Sequence, residues 1–363
     1  MKKIAALLLF CVITAAVNAE DINFTILGDI HYARDEYTKR VGTIAYYIEN
    51  TNKYYDSKMS VISSELKKKR SGCIVQLGDF VEGMALKDAS AAENIFVNHL
   101  SYIKTKFDGI PYLVVLGNHD KDSFKPVLYD VYAKKYLTEW NYQQVNKIAG
   151  AADLDVEKNR AYFAFILNKL QFVFIDSIDP DWTPKISDEQ QNWITKRLKL
   201  GRVRNVKTLL FTHAPVIPLN LYGHLFMASP EKNRAFFFSI LKAGINTVFC
   251  AHSHYYYNLT YFDMNGNVLK QICAPYIFMS KTEKVSVLNY DESLLPPKNQ
   301  KVMDNDTRES LRRQIEGYSK NVKSCMFSET AGYINVSISE MKMKVDFMAF
   351  SGNLLHSTNM DLR

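Results

Sequence analysis

Short apolar runs alternate with longer amphipathic segments along most of the chain. The runs at 23–27 (NFTIL), 73–77 (CIVQL) and 112–116 (YLVVL) have the length of buried strands. Between them, the segments 43–68 and 91–106 carry the spacing of apolar residues that is typical of helices. This alternation predicts strands that run parallel to each other and are joined by crossover helices.

The middle of the chain continues this pattern in a more mixed order. Two apolar runs at 163–166 and 171–175 are separated by an Asn-Lys pair, which predicts a hairpin. The segment 187–198 opens with the capping sequence S-D-E-Q and predicts a helix. Two further strands are predicted at 208–211 and 247–250. We therefore predict an α/β (α+β) sandwich in which two packed, mixed β-sheets are flanked by helices in four layers.

The segment 276–326 departs from the alternation. Residues 281–306 are polar and predict a loop, and residues 308–323 predict an amphipathic helix. This segment is either a lid over a functional site or a surface insertion, and its polarity favours the insertion. Residues 20–363, this segment included, are predicted to form one domain.

The first residues have the pattern of an export signal. Lys2 and Lys3 precede an apolar run at 4–17, and small residues at 17 and 19 (V-N-A) offer a cleavage site after Ala19. The run is shorter than the about 20 residues that a membrane-spanning helix needs. We expect a signal peptide at 1–19 and a periplasmic or secreted protein without a stable membrane span. An uncleaved anchor and a buried N-terminal helix are the alternatives.

Composition narrows the range of partners. The formal net charge of +7 is compatible with anionic substrates, but no dense basic stripe accompanies it, so we expect no nucleic-acid partner. No feature indicates an obligate protein partner. After cleavage four cysteines remain, and in an exported protein they are either paired or buried as free thiols: Cys73, Cys250, Cys273 and Cys325.

Polar motifs directly follow five of the predicted strands. The carboxyl ends of strands form the ligand-binding edge of open α/β sheets, so these motifs are expected to meet. Carboxylates and imidazoles are ligands for divalent ions such as Mn, Fe and Zn. The motifs are Gly28-Asp29-Ile30-His31, Gly78-Asp79, Gly117-Asn118-His119-Asp120, Thr212-His213 and Ala251-His252-Ser253-His254.

This set of motifs resembles the calcineurin-like metallophosphoesterases, whose order is D-x-H, G-D, G-N-H-D, H and G-H-x-H. The F-I-D-S sequence at 174–177, the E-Q-x-x-W sequence at 189–193 and the tail at 332–355 add to the resemblance, the last being similar to the closing strands of secreted members. One departure is Ala251, where the family usually has Gly. Its methyl group is expected to crowd the loop slightly without removing a ligand.

The resemblance implies two divalent metal ions and a role for each motif residue. The first ion would take Asp29, His31 and His254, the second Asn118, His213 and His252, and Asp79 would bridge both. His119 would face the leaving-group oxygen as a general acid or charge stabiliser, with Asp120 holding its ring. The implied reaction is in-line attack on phosphorus by a hydroxide shared between the two ions, without a covalent intermediate.

Other polar residues are weaker candidates. Glu82, three residues after Asp79, is expected near the metal ions, directly or behind a ligand. His224 lies in a loop after His213 and is a candidate substrate-binding residue. His99 and His356 lie outside the motifs and are expected to be structural or on the surface.

The predicted function is hydrolysis of a small phosphorylated substrate, a nucleotide or phospholipid-type ester, outside the cytoplasm. The D-x-H motif and Glu82 differ from the D-x-G motif and the Tyr of purple acid phosphatases, which favours a phosphodiesterase or nucleotide pyrophosphatase. The alternatives are a phosphomonoesterase and a non-catalytic metal-binding protein on the same fold. A nuclease would need a basic and aromatic groove, for which no run of residues is present.

Overall fold

A computed structural model describes residues 21–33, 42–69, 72–83, 89–121, 126–156, 160–178, 184–219, 225, 229–278, 283–291, 294 and 305–363. The predicted signal peptide, His224 and parts of the 276–326 segment lie outside these residues. Within them, no helix has the length and apolar character needed to cross a membrane.

The described residues form strands and helices in alternating order. The strands are β1 (Ile22–Leu27), β2 (Cys73–Leu77), β3 (Tyr112–Val115), β4 (Ala151–Val156), β5 (Phe163–Leu167), β6 (Leu170–Phe174), β7 (Lys207–Phe211), β8 (Thr247–Cys250), β9 (Tyr256–Phe262), β10 (Val268–Cys273), β11 (Ser286–Val287), β12 (Val322–Ser328), β13 (Gly332–Ser339), β14 (Lys342–Ala349) and β15 (Leu354–Asp361). The helices are α1 (Gly42–Lys69), α2 (Ala89–Lys106), α3 (Pro126–Val145), α4 (Asp188–Val203), α5 (Pro230–Lys242) and α6 (Asn305–Ser319).

The strands of the described part make two mixed sheets. The first has the order β15-β14-β13-β1-β2-β3, in which β1, β2 and β3 are parallel and the C-terminal strands are antiparallel. The second has the order β11-β12-β9-β10-β8-β7-β6-β5-β4, in which β6, β7, β8 and β10 are parallel. The early parallel strands and the later mixed strands agree with the prediction.

Apolar side chains fill the space between the sheets and beneath the helices. Phe24 of β1 packs edge-on against Phe172, Phe211 and Phe249 of the second sheet, with ring centroids 5.6, 5.9 and 6.0 Å away. Separate buried clusters lie between the first sheet and helices α1–α3, and between the second sheet and helices α4–α6. The molecule is thus built from two central sheets with helices outside, and the predicted fold class is confirmed.

The 276–326 segment is joined to the second sheet where it is described. Strand β12 pairs with β9, and Leu311 and Ile315 of helix α6 are buried in the core cluster of that sheet. Helix α6 ends at Ser319, earlier than the predicted residue 323, because the following residues enter β12. The described parts of the segment are therefore packed onto the second sheet, and both the lid and the surface-insertion interpretations stay predictions.

The four described cysteines are buried and free. Cys250 and Cys273 are register partners on the parallel strands β8 and β10. The Sγ of Cys273 lies 2.8 Å from the Oγ of Ser253. Of the two alternatives for these residues, the structure therefore favours buried thiols.

Candidate metal centre

Five strands of the two sheets end at one edge of the molecule, and their following loops are tied together there. The N–H of His31 donates to the carbonyl of Asp79 at 2.8 Å, which joins the loops after β1 and β2. The N–H of Ala251 donates to the carbonyl of His213 at 2.9 Å, which joins the loops after β7 and β8. The motif residues are therefore brought together by backbone contacts between neighbouring strands.

Four of the predicted ligands have a left-handed backbone. The φ angles are +48° at His31, +49° at Asp79, +66° at His252 and +64° at His254. Such a conformation costs a residue other than Gly about 1–3 kcal/mol, and it is concentrated at functional sites. Here it turns each side chain out of its strand direction and towards the shared edge.

Two glycines are required by the same close packing. Gly78 has φ +96°, and a Cβ there would lie 2.3 Å from the Nδ1 of His213. At Gly117 a Cβ would lie 2.2 Å from the backbone nitrogen of Asp79. Ala251 is buried in the apolar cluster between the sheets.

The first group of candidate ligands consists of Asp29, His31, Asp79 and His254. One potential ligand atom from each of these residues lies within 4.8 Å of all the others. The Nε2 atoms of His31 and His254 are 3.3 Å apart, and the Nε2 of His31 is 3.5 Å from the Oδ2 of Asp79. These four residues are the three ligands predicted for the first ion and Asp79, which is predicted to bind both ions.

The second group contains Asp79 again, with Asn118, His213 and His252. The Nε2 of His213 lies 3.0 Å from the Oδ1 of Asn118 and 3.0 Å from the Nδ1 of His252. It is 3.5 Å from the Oδ2 of Asp79. Asp79 thus belongs to both groups, and the structure places all seven predicted ligands around this point.

The donor atoms of both groups fit divalent cations. The Oδ2 atoms of Asp29 and Asp79 are buried and accept no hydrogen bond within the described residues, an arrangement that is unfavourable unless a cation or another donor compensates it. Burial also lowers the pKa of His213 and of His254, which keeps their rings in the neutral form that binds metals. Carboxylate, amide and imidazole donors of this kind suit Mn, Fe or Zn.

The two carboxylates of the centre have opposite pKa shifts. Burial, followed by repulsion from Asp79, raises the pKa of Asp29 well above its usual value. Burial acts in the same direction on Asp79, but the surrounding imidazoles, led by His213 and His119, outweigh it and lower the pKa of Asp79. The protein therefore stabilises the charged form of the carboxylate that both groups share.

Glu82, and not Asp120, contacts the ring of His119. The Oε2 of the fully buried Glu82 lies 2.8 Å from the Nδ1 of His119 and 3.1 Å from the Nδ1 of His31. Burial would raise the pKa of Glu82, but these imidazoles lower it to about 2. Burial would likewise lower the pKa of His119, but Glu82 and Asp79 raise it to about 9. Glu82 therefore joins a predicted ligand to the predicted general acid.

Asp120, the residue predicted to hold the ring of His119, contacts backbone N–H groups through both carboxylate oxygens, and its orienting role stays a prediction. The Oδ1 of Asp120 accepts from the N–H of Val81 at 2.8 Å, and its Oδ2 accepts from the N–H of Gly117 at 2.8 Å. Both contacts hold the backbone of the loops after β2 and β3. A side chain adjacent to His119 in sequence turns back into its own loop, whereas Glu82 reaches His119 from the neighbouring loop.

Two of the histidines outside the motifs, His99 and His356, lie in the described part of the chain and have packing roles. His99 is buried between the rings of Tyr32 and Phe80, with centroids 4.1 and 3.9 Å away. The Nδ1 of His356 lies in hydrogen-bond contact with the hydroxyl of Tyr256, at 2.8 Å. The His99 stack supports the loops that carry His31 and Asp79, which no local sequence pattern indicates.

Comparison with known proteins gives a family and a fold. The family model of the calcineurin-like phosphoesterases matches residues 22–256. A dimetal phosphatase from Danio rerio has a similar structure, with a TM-score of 0.58 and 12% identity over 94% of this chain and 99% of that one. Purple acid phosphatase PPD1 from yellow lupin (Lupinus luteus) seeds is similar with a TM-score of 0.50 and 12% identity, over 94% of this chain and 54% of that one. No curated protein sequence matches this chain.

Proposed function

This chain belongs to the calcineurin-like phosphoesterase family and is a phosphoric ester hydrolase, and we propose that its substrates are phosphodiesters or nucleotide pyrophosphates. The observation that carries the proposal is the convergence of two candidate ligand groups on the shared carboxylate of Asp79. The apolar core beneath the loops holds this arrangement in place and offsets the cost of the left-handed backbone at four ligands.

The residues of the centre divide into metal-holding and proton-handling parts. Asp29, His31 and His254 would hold one divalent ion and Asn118, His213 and His252 the other, with Asp79 between them. When bound, such ions activate water and neutralise charge on the phosphoryl group. His119 is partly exposed, at 16% of its side chain, which suits a residue that meets the substrate.

His119 is proposed to donate a proton to the leaving-group oxygen. Its Nδ1 faces Glu82, so the ring edge that carries Nε2 is directed away from that carboxylate. A carboxylate at Nδ1 fixes the orientation of the ring and stabilises its protonated form. A histidine held in this way is suited to general acid catalysis.

The charge of the centre favours esters with a single negative charge on phosphorus. The carboxylates of Asp29, Asp79 and Glu82 meet at the centre and repel an anionic substrate. Lys121, the residue after the Gly117–Asp120 motif, donates to the carbonyl of Ile178 and lies 3.7 Å from Asp176. The carboxylates of the centre repel a diester monoanion less than a monoester dianion.

A comparison of two chromogenic esters tests this preference. With Mn²⁺ present, we expect kcat/KM for bis-p-nitrophenyl phosphate to exceed that for p-nitrophenyl phosphate at least about tenfold, equivalent to about 1.4 kcal/mol. A preference for the monoester would indicate a phosphomonoesterase instead. A protein that binds two metal ions but hydrolyses neither ester, and no nucleotide or nucleotide pyrophosphate, would have a binding role instead.

We also propose that hydrolysis takes place outside the cytoplasm, because residues 1–19 have the pattern of a signal peptide. Sequencing the N-terminus of the mature protein tests this, with Glu20 expected as its first residue. A mature chain that begins at Met1 would contradict export by cleavage.

Replacing Glu82 separates its role from that of Asp120. Glu82→Gln keeps the size of the side chain but removes the charge that faces His31 and His119, so we expect kcat to fall roughly 10–100-fold. Asp120→Asn is the matched variant, and because Asp120 contacts backbone N–H groups, we expect its main effect to be a lower Tm. Steady-state kinetics and thermal unfolding of both variants give the comparison. A larger loss of kcat in Asp120→Asn than in Glu82→Gln, at an unchanged Tm, would return the orienting role to Asp120.

A further inference from the structure

Two tyrosine rings lie directly against the imidazoles of the first ligand group. The ring of Tyr47 is stacked on that of His31, with centroids 4.2 Å apart and planes 3° from parallel. The ring of Tyr276 lies against that of His254, at 5.3 Å and 28°. Neither tyrosine belongs to a motif, and each covers one face of a predicted ligand.

The tyrosines form one buried layer together with these histidines. Tyr47 is 5% exposed and Tyr276 is 1% exposed. Their rings contact each other at 5.9 Å, and Tyr276 also meets the edge of His31 at 5.5 Å. A hydrogen bond alone leaves the side-chain torsions of His31 partly free. Packing of two tyrosine rings against the imidazole therefore limits its rotation.

The backbone that carries Tyr276 is anchored to the same centre. The N–H of Tyr276 donates to the carbonyl of His254 at 3.0 Å, and the N–H of Ile277 donates to the carbonyl of Asp29 at 3.2 Å. The Nζ of Lys58 donates to the carbonyl of Ile277 at 2.6 Å. Since Lys58 and Tyr47 both belong to α1, this helix fixes the two tyrosines relative to each other.

The ring of Tyr276, and not its hydroxyl, makes these contacts. The hydroxyl is buried and has no hydrogen-bond partner within the described residues. An unpartnered buried hydroxyl contributes nothing favourable to stability. Tyr276→Phe is therefore expected to leave the centre intact, whereas loss of the ring would release His254.

The second ligand group is oriented by a different device. The Nδ1 of His213 lies 2.7 Å from the carbonyl oxygen of Leu77, the hydrogen-bonded arrangement usual for metal-binding histidines. Tyr47 and Tyr276 contact rings of the first group, so changes in either are expected to act on that group selectively.

We propose that Tyr47 and Tyr276 are positioning residues that hold the imidazoles of His31 and His254 in the plane required by the first metal ion. The inference rests on the proposed function only in that the centre binds metal ions. Ligand orientation of this kind is a determinant of metal affinity, because a ring that rotates freely loses entropy when it binds.

Titration calorimetry of the metal-free protein with Mn²⁺ tests the proposal without reference to turnover. Wild type is expected to bind two ions. In Tyr47→Ala the affinity for one ion is expected to fall roughly 10–100-fold while that for the other is unchanged. Tyr47→Phe, which keeps the ring, and Tyr54→Ala, on the same helix at an exposed position, are expected to match wild type.

The outcomes separate the inference from the proposed function. Tyr47→Ala that binds both ions as tightly as wild type would overturn the inference, and so would Tyr47→Phe that loses as much affinity as Tyr47→Ala. Tyr276→Leu gives a second variant to decide the matter if Tyr47→Ala fails to fold, as judged by thermal unfolding. Wild type that binds two ions but hydrolyses no ester would overturn the proposed function alone, and wild type that binds none would overturn both.

Discussion

Replacing Asp79 by Asn is expected to lower kcat/KM for phosphodiester hydrolysis at least roughly 10³-fold, equivalent to about 4 kcal/mol. Asp79 is the one residue shared by both ligand groups, and its Oδ2 faces the Nε2 atoms of His31 and His213 at 3.5 Å each. The neutral amide cannot offer the charge that a bridging ligand supplies. Kinetics with bis-p-nitrophenyl phosphate and metal analysis of the purified variant measure the effect.

The substitution is chosen to leave the loop in place. The Oδ1 of Asp79 accepts from the N–H of His119 at 2.8 Å, and the amide oxygen of Asn can accept the same bond. Asp155→Asn serves as the control, because Asp155 lies on β4 outside the centre and accepts from the Nε1 of Trp193 on α4. Full activity of Asp79→Asn, at a Tm like that of wild type, would show that Asp79 does not hold the metal ions.

Replacing His119 by Ala is expected to lower kcat roughly 10²–10⁴-fold while both metal ions remain bound. His119 lies beside the centre without belonging to either group that shares Asp79, and Glu82 contacts its Nδ1 at 2.8 Å. A general acid matters most when the departing alkoxide is a poor leaving group. The loss is therefore expected to be larger for an alkyl ester than for the p-nitrophenyl ester of the same phosphate.

Two readouts distinguish this role from metal binding. Metal content and Tm of His119→Ala are expected to match wild type, and the ratio of the losses on the alkyl and p-nitrophenyl esters gives the leaving-group dependence. Loss of a metal ion in His119→Ala, with equal losses on both esters, would make His119 a ligand and contradict its assignment as proton donor.

The main parts of the fold follow from local patterns. Strands β1, β2 and β3 end within a residue of their predicted positions because each is a short apolar run that stops at Gly followed by a polar motif. Helix α4 begins after Ser187, whose Oγ accepts from the N–H of Gln190 at 3.2 Å, as a capping sequence predicts. Once the strands are placed, their shared edge brings the motifs together.

Other elements lack such a pattern. The sequence of helix α3 (Pro126–Val145) has no apolar stripe, because its Tyr, Asn and Gln residues are mixed with apolar residues at no regular helical spacing. It is held partly by polar contacts, such as the Oδ1 of Asn141, which accepts from the N–H of Val114 at 2.9 Å. Contacts of this kind depend on tertiary packing, so periodicity does not reveal them.

The same limit applies to the supporting residues of the centre. Asp79 and Glu82 are three residues apart, yet only the turn of the loop between them places Glu82 against His31 and His119. Tyr47 reaches His31 from helix α1. The sequence of this helix contains several other tyrosines, and no sequence pattern distinguishes Tyr47 from them. The ligands are predictable because they form motifs, whereas the residues that orient them come from separate elements.

Titration of metal-free wild-type protein with Mn²⁺, followed by the rate of bis-p-nitrophenyl phosphate hydrolysis at each step, tests the central claim most directly. The account predicts little hydrolysis without metal and a hydrolysis rate that rises until two ions are bound per chain. Addition of a chelator is expected to abolish hydrolysis. Hydrolysis that is unaffected by the chelator, or a protein that binds no metal ion at all, would contradict the two-group centre around Asp79.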